Sequence, residues 1–222
     1  MDIGQNLNDS LEYTKDAVWG KWVRWLLLII SSIIFPLILG YELEVYRGKK
    51  PAPEPTNWGT LFIDGIKLCI IEIIYAIPAL IVLFITIGAG VFAAMTPARA
   101  MVLWTSFAAG ILITIIVAFI TGLVAAMGVV RFARTGRMGE AFNFGAIIEL
   151  IGKIGWGSYI LSLIVVDVVA AIIAIILSAI PFIGWLLFLI VIPALVIFVA
   201  RFITLLYESV PAGAQPPAPP AA

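Results

Sequence analysis

Two stretches of almost unbroken apolar sequence, Leu68 to Val130 and Trp156 to Tyr207, limit what this chain can become. A helix crosses the ~30 Å hydrocarbon core with about 20 residues, so each stretch is long enough to cross twice. The MTPARAM segment at 95–101 and the SAIPFIG segment at 178–184 supply a turn within each stretch. The expected spans are therefore Leu68–Ala94, Met101–Val130, Trp156–Ser178 and Trp185–Tyr207. In lipid an irregular backbone has no water to bond to, so these spans should be helical. Arg131 to Lys153 is the longest polar interruption between the two apolar blocks. It forms the hub between two membrane hairpins.

Composition agrees with this reading. With 63% hydrophobic and only 12% charged residues, the chain falls far below the roughly one quarter charged content of soluble domains. An all-α integral membrane protein is expected. There is no histidine, and Cys69 is the only cysteine. These absences argue against zinc sites, haem axial histidines, iron–sulfur clusters, histidine-based triads and an internal disulfide. No metal or cofactor is expected. No catalytic residue is assigned, because no nucleophile and base form a visible pair and there is no soluble domain, so the expectation is a protein that is not an enzyme. GRMGEAFNFG lacks the lysine and the serine or threonine that complete a phosphate loop, and nothing supports binding of nucleic acid. The N-terminal segment MDIGQNLNDSLEYTKDAVWGKW is acidic and polar where a signal peptide would be basic and then apolar, so no cleavage is expected.

The elements ahead of the first span follow from local patterns. Leu11, Thr14, Lys15, Val18 and Trp19 have a loose helical period, and Asn8, Asp9 or Ser10 could cap its start. This predicts a short helix at the membrane surface. Trp22, Arg24 and Trp25 resemble headgroup-level anchors. The apolar run from there to Tyr41 is barely long enough to span, and Ser31, Ser32 and Pro36 interrupt it. A broken or re-entrant segment therefore competes with a full crossing. Tyr41 to Pro55 reads as a charged and then proline-rich extended connector outside the hydrocarbon. From Asn57 to Lys67, Trp58, Leu61, Phe62 and Ile66 share one helical face opposite Thr60, Asp64 and Lys67, which predicts a separate helix in the interface.

The second half repeats this order. Asn57-Trp58-Gly59 and Lys67 align with Asn143-Phe144-Gly145 and Lys153. A tyrosine follows early in each next span, Tyr75 and Tyr159, and each hairpin closes with the same pair, Arg131-Phe132 and Arg201-Phe202. The expected architecture is one membrane-embedded domain over 1–208, followed by a disordered proline- and alanine-rich tail over 209–222. Within the domain are two parallel repeats, 57–131 and 143–208, each an interfacial helix plus a transmembrane hairpin. An even number of spans separates the repeats, so both entry segments share one side. Arg47, Lys49, Lys50, Lys67, Arg131, Arg134, Arg137 and Lys153 gather on that side, while Arg99 alone marks the other. By the positive-inside rule the shared side, with the C-terminus, is cytoplasmic, and the expected location is the plasma membrane.

Three groups are candidate functional residues. Asp167 lies in SLIVVDVVAAII, with no basic residue at its depth. A carboxylate there costs about 2.5–3.5 kcal/mol on insertion scales. Asp167 should be neutral and hydrogen-bonded across helices, or face a wet cavity as part of an ion or proton relay. Glu72 belongs to the same relay reading, although its closeness to Lys67 favours an interfacial ion pair with Lys153 or with headgroups. Tyr75 and Tyr159 read as members of the aromatic belt. Arg131, Arg134, Arg137 and Lys153 form a basic collar that could hold anionic lipid headgroups or simply fix topology.

Gly40-Tyr41, Val45-Tyr46-Arg47, Pro53-Glu54-Pro55, the run Asn57 to Gly65 (NWGTLFIDG), Ile74 to Pro78 (IYAIP) and Gly139 to Phe144 (GEAFNF) together resemble the archaeal and bacterial multi-pass membrane family known as domain of unknown function 4013. The resemblance covers nearly the whole chain except the tail, and the short first apolar segment departs from the pattern. It implies a membrane location and assigns no activity or catalytic residue. The chain is also similar, more distantly, to the membrane domains attached to some glycerophosphodiesterases, which are not their catalytic part. The combined expectation is a non-enzymatic accessory or scaffold that binds membrane lipids, another membrane protein or a second copy of itself. The alternative is a small transporter or channel that uses Asp167 inside the bundle.

Overall fold

The structure is a computed structural model that describes residues 2–94 and 100–211. The turn at 95–99, with Arg99, and most of the expected tail lie outside the described residues. The described elements are helical: α1 (Ile3–Val18), α2 (Trp22–Ile33), α3 (Phe35–Tyr46), α4 (Trp58–Ala94), α5 (Ala100–Thr135), a 3-10 turn (Met138–Phe142), α6 (Phe144–Ile154), α7 (Trp156–Ser178) and α8 (Gly184–Glu208). Among them α4, α5, α7 and α8 are long and apolar enough to cross a bilayer. Large side chains such as Phe84, Ile85, Ile115 and Ile175 stand exposed along these four helices, which gives the lipid-facing surface that their composition requires.

The first apolar run does not form one helix. It breaks at Ile34, whose φ of −95° and ψ of 82° are not helical, and α3 restarts with Pro36 in its first turn. Pro36 has no N–H to donate, and the first turn is the place where a helix tolerates that. Neither half is long enough to cross alone. α3 also runs past the expected boundary at Tyr41 to include Tyr41–Tyr46, which the sequence assigned to an external connector. The charges that suggested exposure are neutralised locally. Arg47 and Lys49 both pair with Glu44, which is itself buried.

Nine of the twelve residues of α3 are buried. A helix that is apolar around its circumference must be enclosed on all sides, and α3 packs on α2, α4, α5 and α8. Its approach to α4 is at backbone distance: a Cβ built at Gly40 would collide with the Leu61 carbonyl, and one at Gly65 with the Pro36 carbonyl. Small residues at such crossings let helices meet closely, so that many weak dispersion contacts add up.

The two entry segments differ. The one at 57–67 is not a separate surface helix but the first turns of α4, whose 37 residues extend for roughly 55 Å at 1.5 Å per residue. The second entry segment is separate, as expected. Asn143 accepts from the Ala146 N–H (3.4 Å) to start α6, and Gly155 at φ +94° turns the chain into α7. Glycine reaches that φ without a Cβ penalty. The aligned position in the first segment is Cys69, inside an apolar helical run with no residue that favours the turn.

α1 starts earlier than its sequence signal. Asp2, rather than Asn8, Asp9 or Ser10, caps it by accepting from the Gln5 N–H (3.2 Å). Ser10, Tyr13, Thr14, Ala17 and Val18 form its buried face, which packs mainly on α8.

Gly40→Leu and Gly65→Leu should each destabilise the bundle by about 1–3 kcal/mol through overpacking against backbone. Gly59→Ala, at a site with no neighbour near its Cβ, should have a far smaller effect. Thermal unfolding of the detergent-solubilised protein measures the difference.

Candidate functional site

The candidate site lies where α3 meets the two hairpins. Small residues on one face of α5, Ala118, Gly122, Ala125 and Ala126, leave a half-open cavity of about 300 Å³. Leu163 of α7 and Ile203 of α8 line other parts of its wall. Three polar residues reach it: Tyr46 at the end of α3, Glu72 of α4 and Asp167 of α7. Three elements far apart in sequence therefore bring two carboxyls and a phenol to one space. At about 30 Å³ per water, the cavity has room for on the order of ten molecules.

A further acid, Glu42, stands beside this group. The Tyr46 hydroxyl donates to its carboxylate (2.9 Å), and Glu42 and Glu72 are within electrostatic reach of one another. Sequence reading missed Glu42, because a glutamate in YELEVYRGKK looks like part of a solvated connector. The one available signal was its i, i+4 spacing from Tyr46 on the same helical face.

No lysine or arginine is paired with Glu42, Glu72 or Asp167 among the described residues. Apart from Lys15 and Lys21 in the N-terminal segment, the described cations are engaged elsewhere. Arg24 pairs with Glu54 (Nε to Oε2, 3.0 Å), and Arg47 with Glu44 and with Asp64 (2.6 Å). Lys67 also holds Asp64 (2.9 Å), and Lys50 lies 3.9 Å from Asp9. Arg201, in α8 and fully buried, donates to Asp9 of α1 (2.9 Å), lies 3.7 Å from Glu208, and stacks over the Tyr13 ring at 5.1 Å. Among the described residues the acids that face or adjoin the cavity make no ion pair, and the other acids without one, Asp2, Glu12 and Asp16, are exposed in the N-terminal segment.

The predicted basic collar is likewise internally matched. Arg131 pairs with Glu140, and Arg137 reaches the same carboxylate at 3.1 Å. Arg134 pairs with Glu208, donates to the Tyr46 carbonyl (2.8 Å) and lies over the Tyr207 ring. Lys153 pairs with Glu149. The expected Glu72–Lys153 pair is absent, because a lysine four residues along α6 from Glu149 has a nearer partner. The hydrogen bond from Arg131 holds the Glu140 carboxyl below the ordinary glutamate range, against the opposing effect of burial.

The two tyrosines are not belt residues. Tyr75 and Tyr159 are buried; Tyr75 donates to the Ala141 carbonyl of the 3-10 turn, and Tyr159 to the Leu123 carbonyl of α5 (2.5 Å). Gly128 leaves the room that the Tyr75 hydroxyl occupies. Buried phenols need an acceptor, and these two find it across elements, which fixes the hub against α4 and α7 against α5. The collar, the 3-10 turn, α6, the start of α7 and the end of α8 consequently share one end of the bundle, opposite the turn that joins α7 to α8.

Among the described residues no three acid or sulfur side chains gather closely enough to hold a metal ion. What the site offers is proton exchange at carboxyls and attraction for a single positive charge.

Four apolar helices with a polar cluster at one end and an acid-lined cavity between the hairpins define the class: a multi-pass helical membrane protein. Residues 25–182 match the family described as Protein of unknown function (DUF4013), and the chain belongs to that family. No curated protein and no solved structure matches the chain.

Asp9→Asn should leave the Arg201 guanidinium short of a charge partner and cost about 1–3 kcal/mol, read as a lower melting temperature and faster proteolysis within α1. The depressed Glu140 carboxyl contributes stability that is present above its unfolded value near ~4.3 and lost as pH falls through its folded value. Below about pH 4.3 the melting temperature should therefore fall more steeply for the wild type than for Glu140→Gln, which lacks that titration.

Proposed function

We propose that the protein is a small transporter in which Asp167 and Glu72 exchange protons or bind a cation within the bundle. One observation carries this reading: two carboxyls without countercharges, on different hairpins, line one half-open cavity of a membrane protein, with Glu72 half-buried and Asp167 exposed at its mouth. Isolated acids at such depth are costly, and in membrane proteins they mark ion and proton pathways. The cavity supplies hydration for these groups, and Tyr46 with Glu42 extends the polar line along α3.

The reading as an accessory or scaffold that binds anionic lipid at Arg131, Arg134, Arg137 and Lys153 is less well supported, because each of these residues already has a carboxylate partner. In the proposed arrangement the two hairpins, 57–131 and 143–208, are duplicated copies around the site, and their equivalent arginines Arg131 and Arg201 are both buried and ion-paired. The polar end, with the C-terminus, faces the cytoplasm of a plasma membrane, in keeping with its concentration of lysine and arginine. The broken α2–α3 segment supplies irregular backbone only where protein encloses it. No step of this function requires catalysis of a covalent reaction.

In proteoliposomes with an imposed pH gradient, the wild type should dissipate the gradient faster than protein-free vesicles. Asp167→Asn should slow that flux at least tenfold, and Glu72→Gln should slow it measurably. Wild-type flux equal to that of empty vesicles contradicts the reading.

A further inference from the structure

We infer that the cavity takes an organic monocation with an apolar body, such as an alkylammonium, in preference to an inorganic ion; this rests on the transport reading above and names its substrate class. The composition of the wall decides between the two. Hard cations such as sodium or calcium need about six or more oxygen ligands to replace their water. Here the side-chain oxygens come from Glu72, Asp167 and Tyr46, and the rest of the lining is apolar. No metal-holding group of acids forms among the described residues.

An alkylammonium has the opposite requirements. It sheds its weakly held water readily, gains from apolar burial, and needs one countercharge with an aromatic face nearby. Phe119 and Tyr46 supply the rings, and Glu72 or Asp167 the charge. About 300 Å³ lies at the small end of ligand pockets, which fits a compact cation and excludes a large one. The cavity is half open beside Phe119 and Asp167, both exposed on the helix surface, so an amphiphilic cation can enter sideways from the bilayer. An ion with a full hydration shell has no such route through hydrocarbon.

The test uses the full chain in nanodiscs of zwitterionic lipid, with binding of tetraethylammonium measured by isothermal titration against empty nanodiscs and against sodium and potassium chloride. Saturable tetraethylammonium binding that sodium and potassium do not displace is expected. Asp167→Asn should weaken it at least tenfold. Gly122→Leu, which fills the cavity from a wall position where an added Cβ meets no neighbour, should abolish it with both acids in place and the fold retained. Equal binding to wild type and Gly122→Leu overturns the inference, as does displacement by millimolar sodium. Proton flux without tetraethylammonium binding overturns the substrate class and leaves the transport reading standing. Binding without flux in proteoliposomes overturns the transport reading and leaves the cation site.

Discussion

The close crossing of α3 and α4 at Gly40 and Gly65 is the constraint on which the remaining arrangement depends. Water drives apolar helices together in soluble proteins, but lipid gives no such preference, so association must come from dispersion at short range and from polar links. The two glycines let the backbones touch, and the enclosed α3 then presents a different face to each neighbour. On one side the Val45 carbonyl lies 3.4 Å from the Thr204 hydroxyl of α8; on another the Tyr46 carbonyl accepts from Arg134 of α5. Both hairpins are thereby referred to the same short helix. Tyr46 at its end reaches the cavity because of that position.

Charge placement follows the same economy. A buried arginine is tolerated only when its desolvation is offset by a carboxylate with good geometry, and Arg131 and Arg201 each have one. Their partners come from the hub and from α1, so the pairs also fasten segments that would otherwise lie loose on the bundle. With the cations of the polar end engaged in this way, Glu42, Glu72 and Asp167 keep no charge partner at the cavity.

Much of this was legible in the sequence. Long apolar runs report spans directly, because composition alone decides whether a helix can face lipid. Asp167 stood out since one acid in SLIVVDVVAAII has no local explanation, and Glu72 was found for a similar reason. The start of α7 at Trp156 was legible from its apolar run, whereas sequence reading missed Gly155, which turns the chain into it. The first entry segment misled, because an amphipathic face at 57–67 is equally compatible with a surface helix and with the opening turns of a long one. Charge density misled at YELEVYRGKK: local pairing of Glu44 with Arg47 and Lys49 makes those residues fit to be buried, and it hid Glu42. Pairs such as Arg201 with Asp9, or Arg134 with Glu208, join residues that only the fold brings together, so the neutrality of the collar could not be read beforehand. The family match identifies kinship and gives no activity, which leaves function to the chemistry of the cavity.

That chemistry requires Glu72 and Asp167 to share one space within a single chain. With Cys69 replaced by serine, the Glu72→Cys, Asp167→Cys double variant in native membranes can be treated with a short bifunctional thiol reagent and analysed by mass spectrometry of its peptides. The account predicts an intrachain bridge between the peptides carrying positions 72 and 167, formed at high yield and blocked by prior treatment with a small monofunctional thiol reagent. Bridging only between different chains, or none while each cysteine alone remains reactive, would contradict it.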